Sequence, residues 1–309
     1  MKRVDSHGRR AIRVAMLMWP MGFLGPAVNH AQPLDTLLSK TAVIAHFDDA
    51  CALAVDGTGR LYVVDRGKSS VVQLAADGSV LSKLGGPGSQ DGQFDDPADI
   101  DPADGLVWVV ADAGNSRLQR FSHTQLHMET LPVARIERFT PGVSGRLDPG
   151  ANEGPEGDGR PIAVGVSPSN ELFAIDEAQG LVLKWDASRR LERTIGGYDA
   201  GAGALSEPTA LAVDASSLYV ADQVRGAVFI YDHFGSLVRT LTAENVQALA
   251  LQDGDLWITV PDRILVYERG ERLVRVMGFQ VVETVVDAVP HGENLYLLTP
   301  TRLLRVQHE

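Results

Sequence analysis

The chain has 309 residues, of which 44% are hydrophobic and 22% are charged, and its formal net charge is −12 at pH 7. This acidic balance argues against binding DNA or RNA through the phosphates. The single cysteine, Cys51, excludes an internal disulfide. The length would suit two ordinary domains, but a closed all-β ring of this size is one domain.

Residues 1–31 differ from the rest of the chain. Lys2 and four arginines make a basic start, and residues 14–28 form an apolar run that is short for a membrane helix. This pattern predicts a secretory signal peptide, the alternative being a disordered or anchoring N-terminus. Without these residues the net charge is −16, from 23 Lys and Arg against 39 Asp and Glu. We expect a periplasmic or extracellular protein, with residues 32–40 as a linker.

An aromatic residue between two aliphatic or small residues recurs six times along the chain. The intervals are 46, 65, 46, 38 and 39 residues, and a period near 40–50 residues is typical of propellers and solenoids. The six aromatic residues are Tyr62, Trp108, Phe173, Tyr219, Trp257 and Tyr296.

Each repeat indicates four short strands, which we name a to d. In the first repeat the turn signals Asp56-Gly57, Arg66-Gly67 and Asp77-Gly78 separate them. Strand a is rich in alanine, whereas strand c ends in a bulky residue. This gradient suits blades that radiate from an axis, because the space between neighbouring sheets widens outward.

The two ends of the repeat region complement each other. The last repeat supplies three strands, and the missing strand d is found at residues 41–47. Pairing these strands would leave no unpaired strand edge where the ring closes. The sequence therefore predicts an all-β fold, a six-bladed β-propeller of four-stranded antiparallel blades over residues 41–309, closed by the N-terminal strand.

The second and fourth repeats resemble a known family. Pro97-x-x-Ile100, Val107-Trp108-Val109 and the run Asp112 to Phe121 are similar to the NHL repeat, as is Glu207 to Val213 with Leu218 to Asp222. The fifth and sixth repeats depart from it in the loop between strands b and c. The resemblance implies a six-bladed propeller of the TolB-like group. It also implies a function that is mostly ligand binding, with a few enzymes in the family.

The d–a and b–c connections should share one face of the ring. The d–a connections carry 14 acidic residues and four arginines. The residues just before the strands a should surround the channel mouth, where they could hold a hard cation, or a basic group of a ligand, or simply stay in water. These six residues are Asp49, Asp96, Arg160, Glu207, Asn245 and Glu283.

The third repeat carries an insertion near residues 139–160 that is dense in Gly and Pro. Long loops of this kind are usually functional or disordered. Its oxygen-bearing side chains could ligate calcium, although their spacing does not follow the EF-hand pattern, and a disordered flap is the alternative. These candidate ligands are Asp148, Asn152, Glu153, Glu156 and Asp158.

Catalytic patterns are weak, because the sequence has no Gly-x-Ser-x-Gly, no phosphate loop and no His-Glu-x-x-His motif. The prediction is a non-catalytic, monomeric binding platform for a protein, a peptide or a basic ligand, not for nucleic acid. The alternative is a calcium-dependent hydrolase or lactonase similar to gluconolactonase-type propellers. No cofactor is indicated firmly, and Ca²⁺ is the candidate, with Glu207, Asn245, Glu283 and Asp49 as ligands.

Overall fold

The computed structural model describes residues 34–36, 42–103, 105–134, 136, 158–279, 281 and 283–307. The chain divides into two units, Met1–Ala31 and Gln32–Glu309, and the described residues all belong to the second. The predicted signal peptide lies outside the described residues. So does the predicted insertion, except for residues 158–160.

The described residues form β-strands and short 3-10 turns. The strands are β1 (Leu34–Thr36), β2 (Ala42–His46), β3 (Ala50–Val55), β4 (Leu61–Asp65), β5 (Ser70–Leu74), β6 (Val80–Gly85), β7 (Pro97–Asp101), β8 (Val107–Asp112), β9 (Arg117–Ser122), β10 (His127–Pro132), β11 (Pro161–Val166), β12 (Leu172–Asp176), β13 (Leu181–Trp185), β14 (Leu191–Ile195), β15 (Pro208–Val213), β16 (Ser217–Asp222), β17 (Ala227–Asp232), β18 (Leu237–Thr242), β19 (Ala248–Gln252), β20 (Asp255–Val260), β21 (Arg263–Glu268), β22 (Arg272–Gly278), β23 (Asp287–His291), β24 (Asn294–Leu298) and β25 (Arg302–Gln307).

These strands form six sheets, which are the blades of the propeller. In each of blades 1 to 5, four consecutive strands form an antiparallel meander. Blade 1 is β3 to β6, blade 2 is β7 to β10, blade 3 is β11 to β14, blade 4 is β15 to β18 and blade 5 is β19 to β22. The innermost strands contact one another around a closed circuit, in the order β3, β7, β11, β15, β19, β23 and back to β3. The predicted six-bladed propeller is confirmed.

The sixth blade is built from both ends of the described chain. β23, β24 and β25 supply its three inner strands, and β2 pairs antiparallel with β25, with Ala42 opposite Arg305 and His46 opposite Arg302. This confirms the predicted closure, which covers the edge that β25 would otherwise expose. The segment predicted as a linker contains β1, which pairs in parallel with β22 as a fifth strand of blade 5.

Six apolar clusters, one between each pair of neighbouring blades, make up the core. Five of the six repeating aromatic residues pack toward the following blade, as Phe173 does against Leu218 and Val220. Trp108 is the exception, because it packs back on Tyr62 of blade 1 with ring centroids 5.0 Å apart.

The exception has a one-residue cause. Trp108 precedes the last residue of its strand, Asp112, by four positions, whereas Tyr62 precedes Asp65 by three. Side chains alternate between the two faces of a strand, so one additional residue turns the aromatic ring to the opposite side. The equivalence of all six aromatic residues that the sequence suggested is therefore wrong for blade 2.

Candidate functional site

The loop face of the ring consists of the segments between consecutive blades and the connections between strands b and c. In blades 1 to 4 a buried aspartate at the end of strand b fixes the segment that leads into the same blade. Asp112 Oδ1 accepts the backbone N–H of Asp95 at 2.8 Å, and Asp176 Oδ1 accepts that of Arg160 at 2.8 Å. Asp65 and Asp222 bind Asp49 and Glu207 in the same way. The acidic residues of this face are thus attached to rigid backbone.

Two of the six predicted mouth residues are in direct contact. Arg160 NH2 lies 2.5 Å from Asp96 Oδ2, and Arg160 Nε lies 2.7 Å from Glu177 Oε2. Arg66, which the sequence reasoning did not select, places its Nε 3.3 Å from Asp96 Oδ1. Asp96 therefore lies between two guanidinium groups, which offset its charge.

The other four predicted mouth residues differ in their surroundings. Asp49 is exposed and interacts electrostatically with Arg66. Glu283 accepts hydrogen bonds from Thr301 Oγ1 at 2.8 Å and from Arg302 NH2 at 3.2 Å. Bonds from the hydroxyls of Thr299 and Thr301, together with Arg302, lower the pKa of Glu283. Glu207 and Asn245 are exposed, and within the described residues no hydrogen bond or ion pair is seen from the side chain of either.

The central channel encloses a cavity of about 250 Å³ between the innermost strands of the blades. Its wall carries three carboxylates that the sequence reasoning missed, Asp99, Asp101 and Asp287. A pattern in the sequence could have revealed two of them, because Asp99 and Asp101 occupy alternate positions in β7, whose other residues are apolar. Each carboxylate accepts a backbone N–H of the next blade at 2.7 Å, from Val164, Val166 and Leu53 respectively.

Burial changes the acidity of these three groups. It raises the pKa of Asp101 to about 6 and that of Asp287 to about 7. The pKa of Asp99 is raised well above its ordinary value, first by burial and then by the charges of Asp287 and Asp101. Their side chains border the narrow channel and are partly exposed to it, but the loss of hydration still outweighs the N–H bonds that favour the charged form.

Cys51 lies on the same wall. Its Sγ lies 3.4 Å from the carbonyl oxygen of Pro97 and 3.5 Å from that of Ala98. Burial raises the pKa of this thiol to about 12, although Arg66 acts in the opposite direction. A thiol with so high a pKa stays protonated and behaves as a small core residue.

A second charged cluster lies on the opposite face, between blades 3 and 4. Lys184, whose side chain is 2% exposed, places Nζ 2.7 Å from Glu171 Oε1 and 3.0 Å from Glu192 Oε2. His233 Nδ1 lies 2.7 Å from Glu171 Oε2. Burial alone would raise the pKa of Glu171, but hydrogen bonds from Lys184 and His233 lower it. The sequence offered no signal for this cluster, because its members are distant along the chain.

No group of three His, Cys, Asp or Glu side chains in the part of the chain that the structure describes is arranged to hold a metal ion. Of the candidate ligands in the insertion, Asp148, Asn152, Glu153 and Glu156 lie outside the described residues, and Asp158 is exposed just before β11.

Among the residues that the structure describes, no helix is long and apolar enough to cross a membrane.

Comparison with protein-family models gives no match, and comparison with curated proteins gives none. Solved structures do resemble the chain. A catalytically inactive variant of virginiamycin B lyase from Staphylococcus aureus with quinupristin has a TM-score of 0.59 at 11% identity, covering 87% of this chain and 99% of that chain. The luciferin-regenerating enzyme has a TM-score of 0.59 at 12% identity, covering 87% of this chain and 95% of that chain.

The RRP9 WD40 repeats have a TM-score of 0.60 at 9% identity, covering 89% of this chain and 98% of that chain. Identities this low show the fold alone. Enzymes and a WD40-repeat protein both occur among these structures, and a propeller fold does not by itself select a function. The chain is a six-bladed β-propeller with an acidic loop face and a carboxylate-lined channel.

Proposed function

We propose that this propeller is a non-catalytic binding platform that takes a cationic partner, a protein, a peptide or a basic small ligand, on its loop face. One observation carries the proposal. On this face at least one acidic residue of each of blades 1, 2, 3 and 6 forms an ion pair with a base, whereas three acidic residues in the segments that lead into blades 4 and 5 form none. We name Asp199, Glu207 and Glu244 the acidic sector.

The pairing on the other side of the face is direct. Lys68 Nζ lies 3.0 Å from Asp48 Oδ1, and Arg302 NH2 lies 3.2 Å from Glu283 Oε1. Asp96 has two guanidinium partners, as described above. These ion pairs leave little attraction for an external cation, since each carboxylate already faces a base.

The acidic sector has no such pairs. All three side chains are exposed, and no ion pair involves them within the described residues. One base, Arg225, lies among them, but it donates to Ser206 Oγ at 3.0 Å and to the Ala204 carbonyl at 3.3 Å. Three carboxylates against one guanidinium leave a local excess of negative charge, which attracts cations over several ångströms.

The resemblance of the second and fourth repeats to the NHL repeat supports the same proposal, because that family consists mostly of binding platforms. The basic and apolar N-terminal segment supports export, so we place the protein in the periplasm or outside the cell. A cationic peptide or protein region would then meet the loop face in solution.

The test is fluorescence anisotropy with a labelled hexalysine peptide, at low and at physiological ionic strength. We expect binding that weakens as salt screens the charges, and no binding of a hexaglutamate peptide. Absence of hexalysine binding at low ionic strength would overturn the proposal. A parallel screen for lactone and ester hydrolysis, with calcium and with chelator, tests the hydrolase alternative directly.

A further inference from the structure

We infer that the acidic sector is one half of a peptide-docking surface, whose other half is the exposed pair Tyr198 and Val224. The occupant is a peptide segment in which lysine or arginine alternates with aliphatic residues. This inference rests on the proposed function and adds the location of the site and the composition of the partner.

Tyr198 is the most exposed large hydrophobic residue described, at 99% of its full surface. It projects from a loop that is held at both ends, because the Leu205 N–H donates to the Gly196 carbonyl at 2.8 Å. Tyr231 Oη donates to the Gly203 carbonyl at 2.6 Å and fixes the C-terminal part of the loop to blade 4. A tyrosine on a fixed backbone offers a large contact area at low entropic cost.

Gly196 shows how closely this loop is packed. Its φ is +77°, and a Cβ at this position would lie 2.4 Å from Leu205 Cδ1. Leu205 itself is buried in the core between blades 3 and 4. The loop therefore has a defined conformation. It buries Leu205 in the core and leaves Tyr198 exposed to solvent.

Val224 extends the exposed apolar surface from a neighbouring turn. Its side chain is 66% exposed between strands β16 and β17. Arg225, the next residue, joins this turn to the Tyr198 loop by donating to the Ala204 carbonyl. Glu244 lies beside the same turn, since a Cβ on Gly226 would be 3.3 Å from Glu244 Cγ. Arg225 thus connects the turn to the loop, and Glu244 adjoins the turn on the same face.

The chemistry of this surface defines its partner. A cation over the Tyr198 ring is attracted by the ring's negative face. Asp199 follows Tyr198 directly, and Glu207 stands at the start of β15, so a second cation along the same peptide finds a carboxylate. Val224 supplies apolar contact for an aliphatic side chain between the two cations. A purely anionic or purely apolar segment would satisfy only part of this surface.

The experiment uses a fluorescein-labelled peptide of alternating lysine and leucine, with the same peptide acetylated on its lysines as the charge control. Anisotropy titrations compare wild type, Tyr198→Ser and Glu207→Gln/Glu244→Gln. Matched controls on the opposite face are Phe234→Ser, whose ring is 71% exposed, and Asp253→Asn/Glu293→Gln, whose side chains are exposed in turns. Thermal melts verify that all variants fold.

We expect the affinity of the lysine–leucine peptide to fall about threefold in Tyr198→Ser and about fivefold in Glu207→Gln/Glu244→Gln, from exposed cation–π and ion-pair contributions. The control variants should bind as wild type does. Wild-type binding that neither site variant weakens would overturn this inference and leave the proposed function standing. No binding by wild type, with either lysine–leucine or hexalysine peptide, would overturn both.

Discussion

Asp287 Oδ2 accepts a hydrogen bond of 2.7 Å from the backbone N–H of Leu53, which joins the innermost strand of the last blade to that of the first. Asp99 makes the same bond, also 2.7 Å, to the N–H of Val164 across the junction of blades 2 and 3. At each junction a carboxylate bridges two innermost strands that belong to separate sheets. These aspartates therefore stabilise the ring from inside its channel.

The buried carboxylates make stability depend on pH. The folded pKa of Asp287 is about 7 against an ordinary value of 3.8, so the native state keeps a proton that the unfolded chain releases. Stability from this group is complete below the ordinary value and is lost as the pH rises through the folded pKa. We expect the free energy of unfolding, measured with urea, to fall between about pH 4 and pH 7.

Asp287→Asn keeps an acceptor oxygen but cannot ionise. We expect its fall in stability over this pH range to be smaller than that of wild type by about 1–3 kcal/mol. Asp77→Asn is the matched control, because Asp77 is exposed in a turn and its pKa is lowered by bonds from Ser79. Equal pH dependence in wild type and Asp287→Asn would contradict the assignment.

Lys184→Met should destabilise the protein by about 3 kcal/mol, since it leaves Glu171 and Glu192 close together without their buried cation. Urea unfolding at neutral pH measures this loss. Arg190→Met removes an ion pair to Asp186 in which the arginine is 82% exposed, and we expect less than about 1 kcal/mol there. Similar losses in the two variants would show that Lys184 is not a structural partner of both glutamates.

The reversed packing of Trp108 can be measured by a double-mutant cycle. We expect Tyr62→Leu and Trp108→Leu to show a coupling energy of about 1 kcal/mol, because their rings meet edge to face. Trp108 and Phe173 belong to different clusters, so their cycle should give a coupling near zero. A larger coupling to Phe173 than to Tyr62 would place Trp108 on the other side of its blade.

Trp257→Ala should cost about 3–5 kcal/mol of the free energy of unfolding. Trp257 is 6% exposed and packs in the cluster between blades 5 and 6. Chemical denaturation provides the measurement, and Tyr198→Ala, which removes a fully exposed ring, should be close to neutral. A loss below about 1 kcal/mol for Trp257→Ala would be incompatible with a core position.

Removing the closing strand should make thermal unfolding less cooperative or lower the melting temperature. A chain that begins at residue 48 lacks β2 and exposes the edge of β25, whereas one that begins at residue 42 retains the pairing of Ala42 with Arg305. We expect a single sharp thermal transition in the longer chain and a broad or early one in the shorter. Two identical melting curves would mean that closure contributes nothing to stability.

Much of the fold is encoded locally. The recurring aromatic residues, the turn signals and the alanine-rich inner strands are short patterns, and each predicts its strand without knowledge of distant residues. The closing strand could be predicted as well, because one spare strand at the start of the repeats matched one missing strand at the end. The acidity of the loop face followed from counting residues in connections whose position the strand order determines.

The pairing of charges could not be predicted in this way. Asp96 lies between Arg66 and Arg160, which belong to the blades on either side, and nothing local distinguishes it from Glu207, which has no such partner. The sequence alone therefore suggested one mouth of four carboxylates, an amide and a guanidinium, whereas the tertiary structure pairs some of the carboxylates with bases and leaves the acidic sector without ion pairs.

The sequence by itself determined the number of blades, the closure and the acidic character of one face, because these depend on periodicity and composition. Only the tertiary structure decided the partners of Asp96 and the bond between Asp287 and Leu53. The physical reason is separation along the chain. Asp287 and Leu53 are 234 residues apart, and contacts between such residues arise only when the ring closes.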